Sequence, residues 1–283
     1  MLFRSANFGK DSIEGALCWT LGERSCASGR GKKQPEAEGQ GAQMLVRTGA
    51  ETESKTCLPG SYTRIGSLEI PLDFVEKNTA LTLTARIGDC TSVYPIWVYR
   101  KTTPICPENV YETRSFDAQT REILRNGGRV YLSPDADEVH LPNSIRTQFT
   151  TDFWSVGTFA DQEGGMGQLI EAEHPIFRNF PTDFHTDWQW WSMSGKRAVI
   201  LPRPGKAIIT EMDSYAYLRP MAQLIEARCL NGKVLLSTLE LHKSLQYPET
   251  RALQSAIYAY LSGEEFGPSE EITEEELSTL VRD

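Results

Sequence analysis

Alternation of apolar and polar positions dominates the first hundred residues. The clearest run is Thr79 to Ile87, TALTLTARI, with Leu81, Leu83, Ala85 and Ile87 on one face and Thr82, Thr84 and Arg86 on the other. A period of two is that of a half-buried strand. Gly15 to Leu21, GALCWTL, alternates around Trp19, and Tyr62 to Leu72 alternates after a Pro59-Gly60 turn signal. Pro71 marks an edge or a strand end there, because proline cannot donate to a ladder. Tyr94 to Tyr99, YPIWVY, is a short run of aromatic and β-branched residues. Residues 30–41 are polar and rich in Gly, Gln and Glu, which reads as a loop. Short strands at this spacing without a helical stretch predict a small β-sandwich over residues 1–100. Such a sandwich calls for a further strand before Gly15.

Lys101 to Asn109, KTTPICPEN, has two prolines and no periodicity, and reads as a linker. After it the pattern changes. A short strand at Val110–Tyr111 precedes a helix capped by Asp117 and running to about Arg125. Asn126-Gly127-Gly128 stops the helix, and Arg129 to Leu132 is the next strand. Strand, helix and strand in that order make a βαβ unit and predict a parallel sheet. Ala207 to Met212, Gln223 to Cys229 and Lys233 to Thr238 read as strands, the last two joined by a hairpin at Asn231-Gly232. Pro248 opens a helix over 249–261 whose Leu253, Ile257, Tyr260 and Leu261 share an apolar face. The expected organisation is a sandwich over 1–100, a linker over 101–109, an α/β domain over 110–266 and an acidic tail over 267–283. In that tail Thr273 and Glu276 fit the capping box of a short surface helix, and the Glu264–Glu276 run reads as a solvated face.

Composition narrows the partners. The chain has 283 residues and a formal net charge of -9, which disfavours a nucleic-acid backbone. No apolar run is long enough to span a bilayer, so a membrane is not an expected partner. No secretory signal is visible at the start, and the compartment stays open. Six cysteines are scattered without CxxC pairing or zinc spacing, and free thiols are expected. No cofactor or metal is expected.

His174 to Trp191, HPIFRNFPTDFHTDWQWW, concentrates three of the six tryptophans and two of the four histidines. One reading is a buried loop over the edge of a core. The other is a ligand surface, with Trp188, Trp190, Trp191, His185 and Asp187 as candidate binding residues. If the stretch is extended, Trp188 and Trp190 share a face and Trp191 takes the other. His185 and Asp187, with His174, Glu171 and Glu173 near them, match no common zinc spacing. Gly127-Gly128 and Gly164-Gly165 match no phosphate-cradling motif and read as turns.

The second domain looks like a flavodoxin-type sheet of the kind found in class I glutamine amidotransferases. Those enzymes use a cysteine on a glycine-flanked strand-to-helix elbow, which is absent here: Cys106 lies in the linker and Cys229 enters a hairpin. Five stretches together resemble the C-terminal part of bacterial glycoside hydrolase family 2 proteins, the β-galactosidase and β-glucuronidase group. They are GDCTSVYPIWVY (88–99), LRNGGRVYL (124–132), residues 149–180 with FTTDFWSVGTF and GMGQLIEAEHPIFRNF, FPTDFHTDWQWW (180–191), and ARCLNGKVLLSTLEL (227–241) with the helix after it. The resemblance implies an Ig-like sandwich followed by an amidotransferase-like α/β domain. It also implies a role beside the family's catalytic barrel or other glycosidase subunits, with oligosaccharide as a possible ligand. No barrel fits this chain, and the Asn-Glu dipeptide of the family's acid/base is missing. No catalytic residue carries over, and the chain alone is expected to be non-hydrolytic.

Overall fold

The computed structural model describes residues 1–26, 45–147, 149 and 164–283. The loop expected over 30–41 and most of the FTTDFWSVGTF stretch lie outside these residues. The chain is largely β, with few helices, and divides into two compact units after Arg100. Among the described residues, no helix is long and apolar enough to cross a membrane.

The first unit contains β1 (Leu2–Ala6), β2 (Ile13–Glu23), β3 (Leu45–Cys57), β4 (Tyr62–Ser67), β5 (Thr79–Ile87) and β6 (Cys90–Val98). A four-stranded antiparallel sheet runs β3-β2-β5-β6, and β1 pairs with β4 in a second sheet. Phe3 and Ile65 of the small sheet share one core with Leu17, Leu21, Leu81, Leu83, Ala85 and Ile87 of the large one. The face read from TALTLTARI is the one that is buried. Pro95 lies on β6, an edge strand, where a missing N–H costs no ladder bond. β1 supplies a strand before β2. The thirteen-residue β3 gives no alternation in sequence, because its described side chains from 47 to 56 are polar or small and none is buried. Backbone pairing to β2 defines it, with Trp19 lying across Gly49 of the cross-strand pair.

The second unit contains β7 (Tyr111–Thr113), α1 (Ala118–Arg125), β8 (Arg129–Leu132), β9 (Ser144–Arg146), β10 (Gly167–Ile170), β11 (Arg197–Ile200), β12 (Ile209–Met212), β13 (Met221–Cys229), β14 (Gly232–Ser237), α2 (Pro248–Ser262) and α3 (Glu274–Leu280). One sheet runs β10-β12-β13-β14-β8-β7, with β11 also paired to β13 and β9 to β11. The predicted β7-α1-β8 crossover is present and parallel, and β14 pairs with β8 in parallel. The sheet as a whole is mixed, because β9 to β13 pair only antiparallel partners and β13 and β14 are joined by a tight hairpin. The core gathers Val130, Leu132, Val234 and Leu236 from the parallel strands with Phe116 and Leu124 around α1.

Local chemistry explains the ends of these elements. Asp117 caps α1, its Oδ1 accepting the Thr120 N–H at 2.8 Å and the Thr120 hydroxyl at 2.9 Å. Gly127, at φ 79°, takes the left-handed position past the helix end. Arg129 Nη1 donates to the Leu261 and Gly263 carbonyls, both at 2.7 Å, and ties the end of α2 to β8. The apolar face read for α2 is buried, together with Thr250, Ala252, Gln254 and Ala256, so the helix lies inside the unit rather than on its surface. Two expectations need correction. The hairpin turns at Leu230-Asn231, since Cys229 already pairs with Gly232. Gly232 is needed for packing: a Cβ there would sit 2.6 Å from Gly128 O and 2.9 Å from Leu124 Cα. The acidic 267–283 segment is not a separate tail but part of the second unit, with its glutamates at the surface. The capping box at Thr273 and Glu276 forms as read, but Ile272, Leu277, Leu280 and Val281 are buried in the sheet core. The acids cluster in the first turn of α3 and leave its apolar positions free to pack.

Candidate functional site

The aromatic stretch folds as two 3-10 turns. His174 caps the first, Pro175–Phe177, its Nδ1 accepting the Ile176 N–H at 3.3 Å. Its Nε2 lies 3.6 Å from Glu226 Oε1, and Glu226 Oε2 accepts the Tyr260 hydroxyl at 2.6 Å. Asp187 caps the second turn, Trp188–Trp190, accepting the Gln189 N–H at 2.8 Å. This overturns the extended reading of the stretch. With three residues per turn, Trp188 and Trp191 come to the same side and Trp190 points inward. Trp190 is 0% exposed, packs edge-on against Phe177 and Phe180, and donates from Nε1 to Thr182 Oγ1 at 2.9 Å. It is a core residue, not a ligand contact. Trp188 and Trp191 are 77% and 58% exposed, with ring centroids 5.6 Å apart and Phe149 against both. His185 is half-buried, edge-on to Phe184, and its backbone bridges Leu169. Of the five candidates, the structure therefore brings only Trp188 and Trp191 together as an accessible pair.

A buried polar network was not legible in the sequence. Glu211 of β12 and Gln223 of β13 face the interior, each 1% exposed. Gln223 Nε2 donates to Glu211 Oε2 at 2.8 Å and to Thr147 Oγ1 at 3.2 Å, while Gln223 Oε1 accepts the Gly195 N–H at 2.9 Å. Thr147 Oγ1 donates to Gly195 O at 2.7 Å. Burial pushes the Glu211 carboxyl up to about 8, so it is mostly protonated at neutral pH. Hydrogen bonds from the Gln223 and Gln168 side chains and the Gly167 backbone only partly offset that burial.

A second cluster lies where the parallel strands end. Arg114 follows β7, Ser133 and Asp135 follow β8, and Glu240, His242 and Lys243 follow β14. Lys243 Nζ is 2.6 Å from Asp135 Oδ1 and also pairs with Glu240. The Ala136 N–H donates to Glu240 Oε1 at 3.1 Å, which latches the loop after β8 to the loop after β14. Glu240 is buried and holds a left-handed backbone, φ 50° and ψ 39°, a conformation that costs a side-chain-bearing residue about 1–3 kcal/mol. His242 Nε2 is 3.7 Å from Asp135 Oδ1. Burial, with the charges of Arg114 and Lys243, holds the imidazole below its ordinary range. The hydrogen bond from Lys243 lowers Asp135. The sequence signal for this site was the strand ends themselves, which in open α/β sheets are where ligands bind.

Cys18, Cys57, Cys90, Cys106 and Cys229 are free thiols. Among the described residues, no group of three or more His, Cys, Asp or Glu side chains is arranged to hold a metal ion.

From β7 to just beyond α3, residues 111–282 match the model of a family described as a domain of unknown function, DUF8487. The chain belongs to that family. No curated protein matches it.

Proposed function

We propose that this chain is a non-catalytic accessory region of a glycoside hydrolase family 2-like enzyme of the β-galactosidase and β-glucuronidase group. In this reading the first unit is an Ig-like sandwich and the second an amidotransferase-like α/β domain. Together they support a catalytic barrel or the packing of subunits. The supporting observation is where the resembling stretches fall. LRNGGRVYL builds the end of α1 and β8, and HPIFRNFPTDFHTDWQWW builds the two capped turns around Trp190. Among their described residues, these stretches build a helix end, a strand and capped turns. The test is hydrolysis of nitrophenyl β-galactoside and β-glucuronide by the purified chain. No turnover is expected, and robust turnover overturns the reading.

The exposed Trp188 and Trp191 favour a second reading, a stand-alone carbohydrate-binding or oligomerisation module. Indole faces stack on sugar rings or on a partner's apolar surface. Titration with oligosaccharides that quenches tryptophan fluorescence supports sugar binding. A strict monomer by light scattering counts against assembly.

A further inference from the structure

Four features coincide at the carboxyl ends of β7, β8 and β14. The first is topology: these are the three mutually parallel strands, and Thr113 and Leu132 end in register. Crevices at such ends take polar ligands because the loops there diverge and backbone groups are left without ladder partners. The second is charge. Arg114, Lys196 and Lys243 surround Asp135 and Glu240, giving three cations against two carboxylates. The third is an unused guanidinium. Arg114 is exposed and makes neither a hydrogen bond nor an ion pair with the described residues, although its charge acts on both Asp135 and His242. The fourth is a polar floor. Ser133 is 3% exposed beside Tyr131, and among the described residues His242 Nε2 has no hydrogen-bond partner, Asp135 Oδ1 lying 3.7 Å away. Buried polar atoms in native proteins are normally satisfied, so the His242 nitrogen calls for water or a ligand. The left-handed Glu240 holds this arrangement in place and adds strain at the same point.

We propose that the carboxyl ends of β7, β8 and β14 form a binding site for a small anion bearing a carboxylate or phosphate group, with Arg114 as its principal charged partner. A planar guanidinium pairs with either group through two parallel hydrogen bonds. Lys243 faces the same ligand from the β14 side, and the polar floor at Ser133 and His242 is reached directly or through water. The site is distinct from the Trp188–Trp191 pair and does not depend on the glycosidase reading.

The test uses the full chain and three probes: inorganic phosphate, glucuronate and neutral galactose. The imidazole resonances of His242 are followed by NMR. Saturable shifts are expected with phosphate or glucuronate and not with galactose, and the anion with the lower Kd assigns the carboxylate or phosphate class. Arg114→Gln removes an exposed side chain that makes no hydrogen bond or ion pair with the described residues, so folding is expected to be unchanged. Loss of a charge-assisted pair should then weaken binding about tenfold or more. Binding as tight in Arg114→Gln as in the parent overturns the proposal. So does the absence of any saturable shift up to about 20 mM, well past the millimolar range of weak ligands, or equal shifts with galactose.

Discussion

Replacing Trp190 with alanine removes a fully buried indole and leaves the Thr182 hydroxyl without its donor. The expected loss is about 3–5 kcal/mol, read from urea unfolding. The same change at Trp188, mostly exposed, is expected to stay within about 0.5 kcal/mol. Position in a 3-10 turn, not residue type, makes the difference. Glu211 gives a prediction in pH. Its folded-state value, about 8, lies above the ordinary 4.5, so the native state binds the extra proton. The associated stability is complete below the ordinary value and is lost as pH rises through 8. Unfolding midpoints measured between about pH 5 and pH 9 are expected to fall in the parent. In Glu211→Gln this fall is absent, since the amide keeps a neutral group facing Gln223.

Among the elements, the β13–β14 hairpin carries a correctable flaw. Leu230 sits at φ 56° in the first central position of a two-residue turn, where asparagine or glycine is preferred. Leu230→Asn is expected to raise stability by about 1 kcal/mol in chemical unfolding, because the left-handed penalty falls. α3 answers to two changes of different size. Thr273→Ala removes the cap for about 1 kcal/mol, and Leu277→Ala opens the core for about 2–5 kcal/mol. The elements that were legible carry a period or a cap in their own residues: β5, the α1 boundaries at Asp117 and Gly127, the buried side of α2, and the capping box. β3 was not legible, because an edge strand with polar side chains is specified by its neighbour's backbone. The burial of α3 was hidden by its acids, which occupy one turn while Leu277 and Leu280 do the packing. The candidate site was half legible. Density of tryptophan singled out the stretch, but the turn that sorts Trp188 and Trp191 from Trp190 depends on Asp187 as a cap. Glu211 and the cluster at Glu240 join residues far apart in sequence; the strand ends point to the second, and no local pattern announces the first.

At the scale of the whole molecule, the second unit closes on itself. The Phe116 N–H reaches Arg282 O at 3.4 Å, and Arg121 pairs with Asp283 at 2.9 Å. β8 waits for β14, about a hundred positions later, and the core under α1 waits for Ile272 to Val281. During vectorial synthesis, β7, α1 and β8 therefore emerge from the ribosome long before the residues that shield them. Long-range pairing of this kind is slow and leaves apolar surface open to protease and chaperone. A nascent chain stalled after α2 is expected to remain protease-sensitive throughout residues 111–262, and release of the last twenty or so residues should convert the whole unit to resistance in one step.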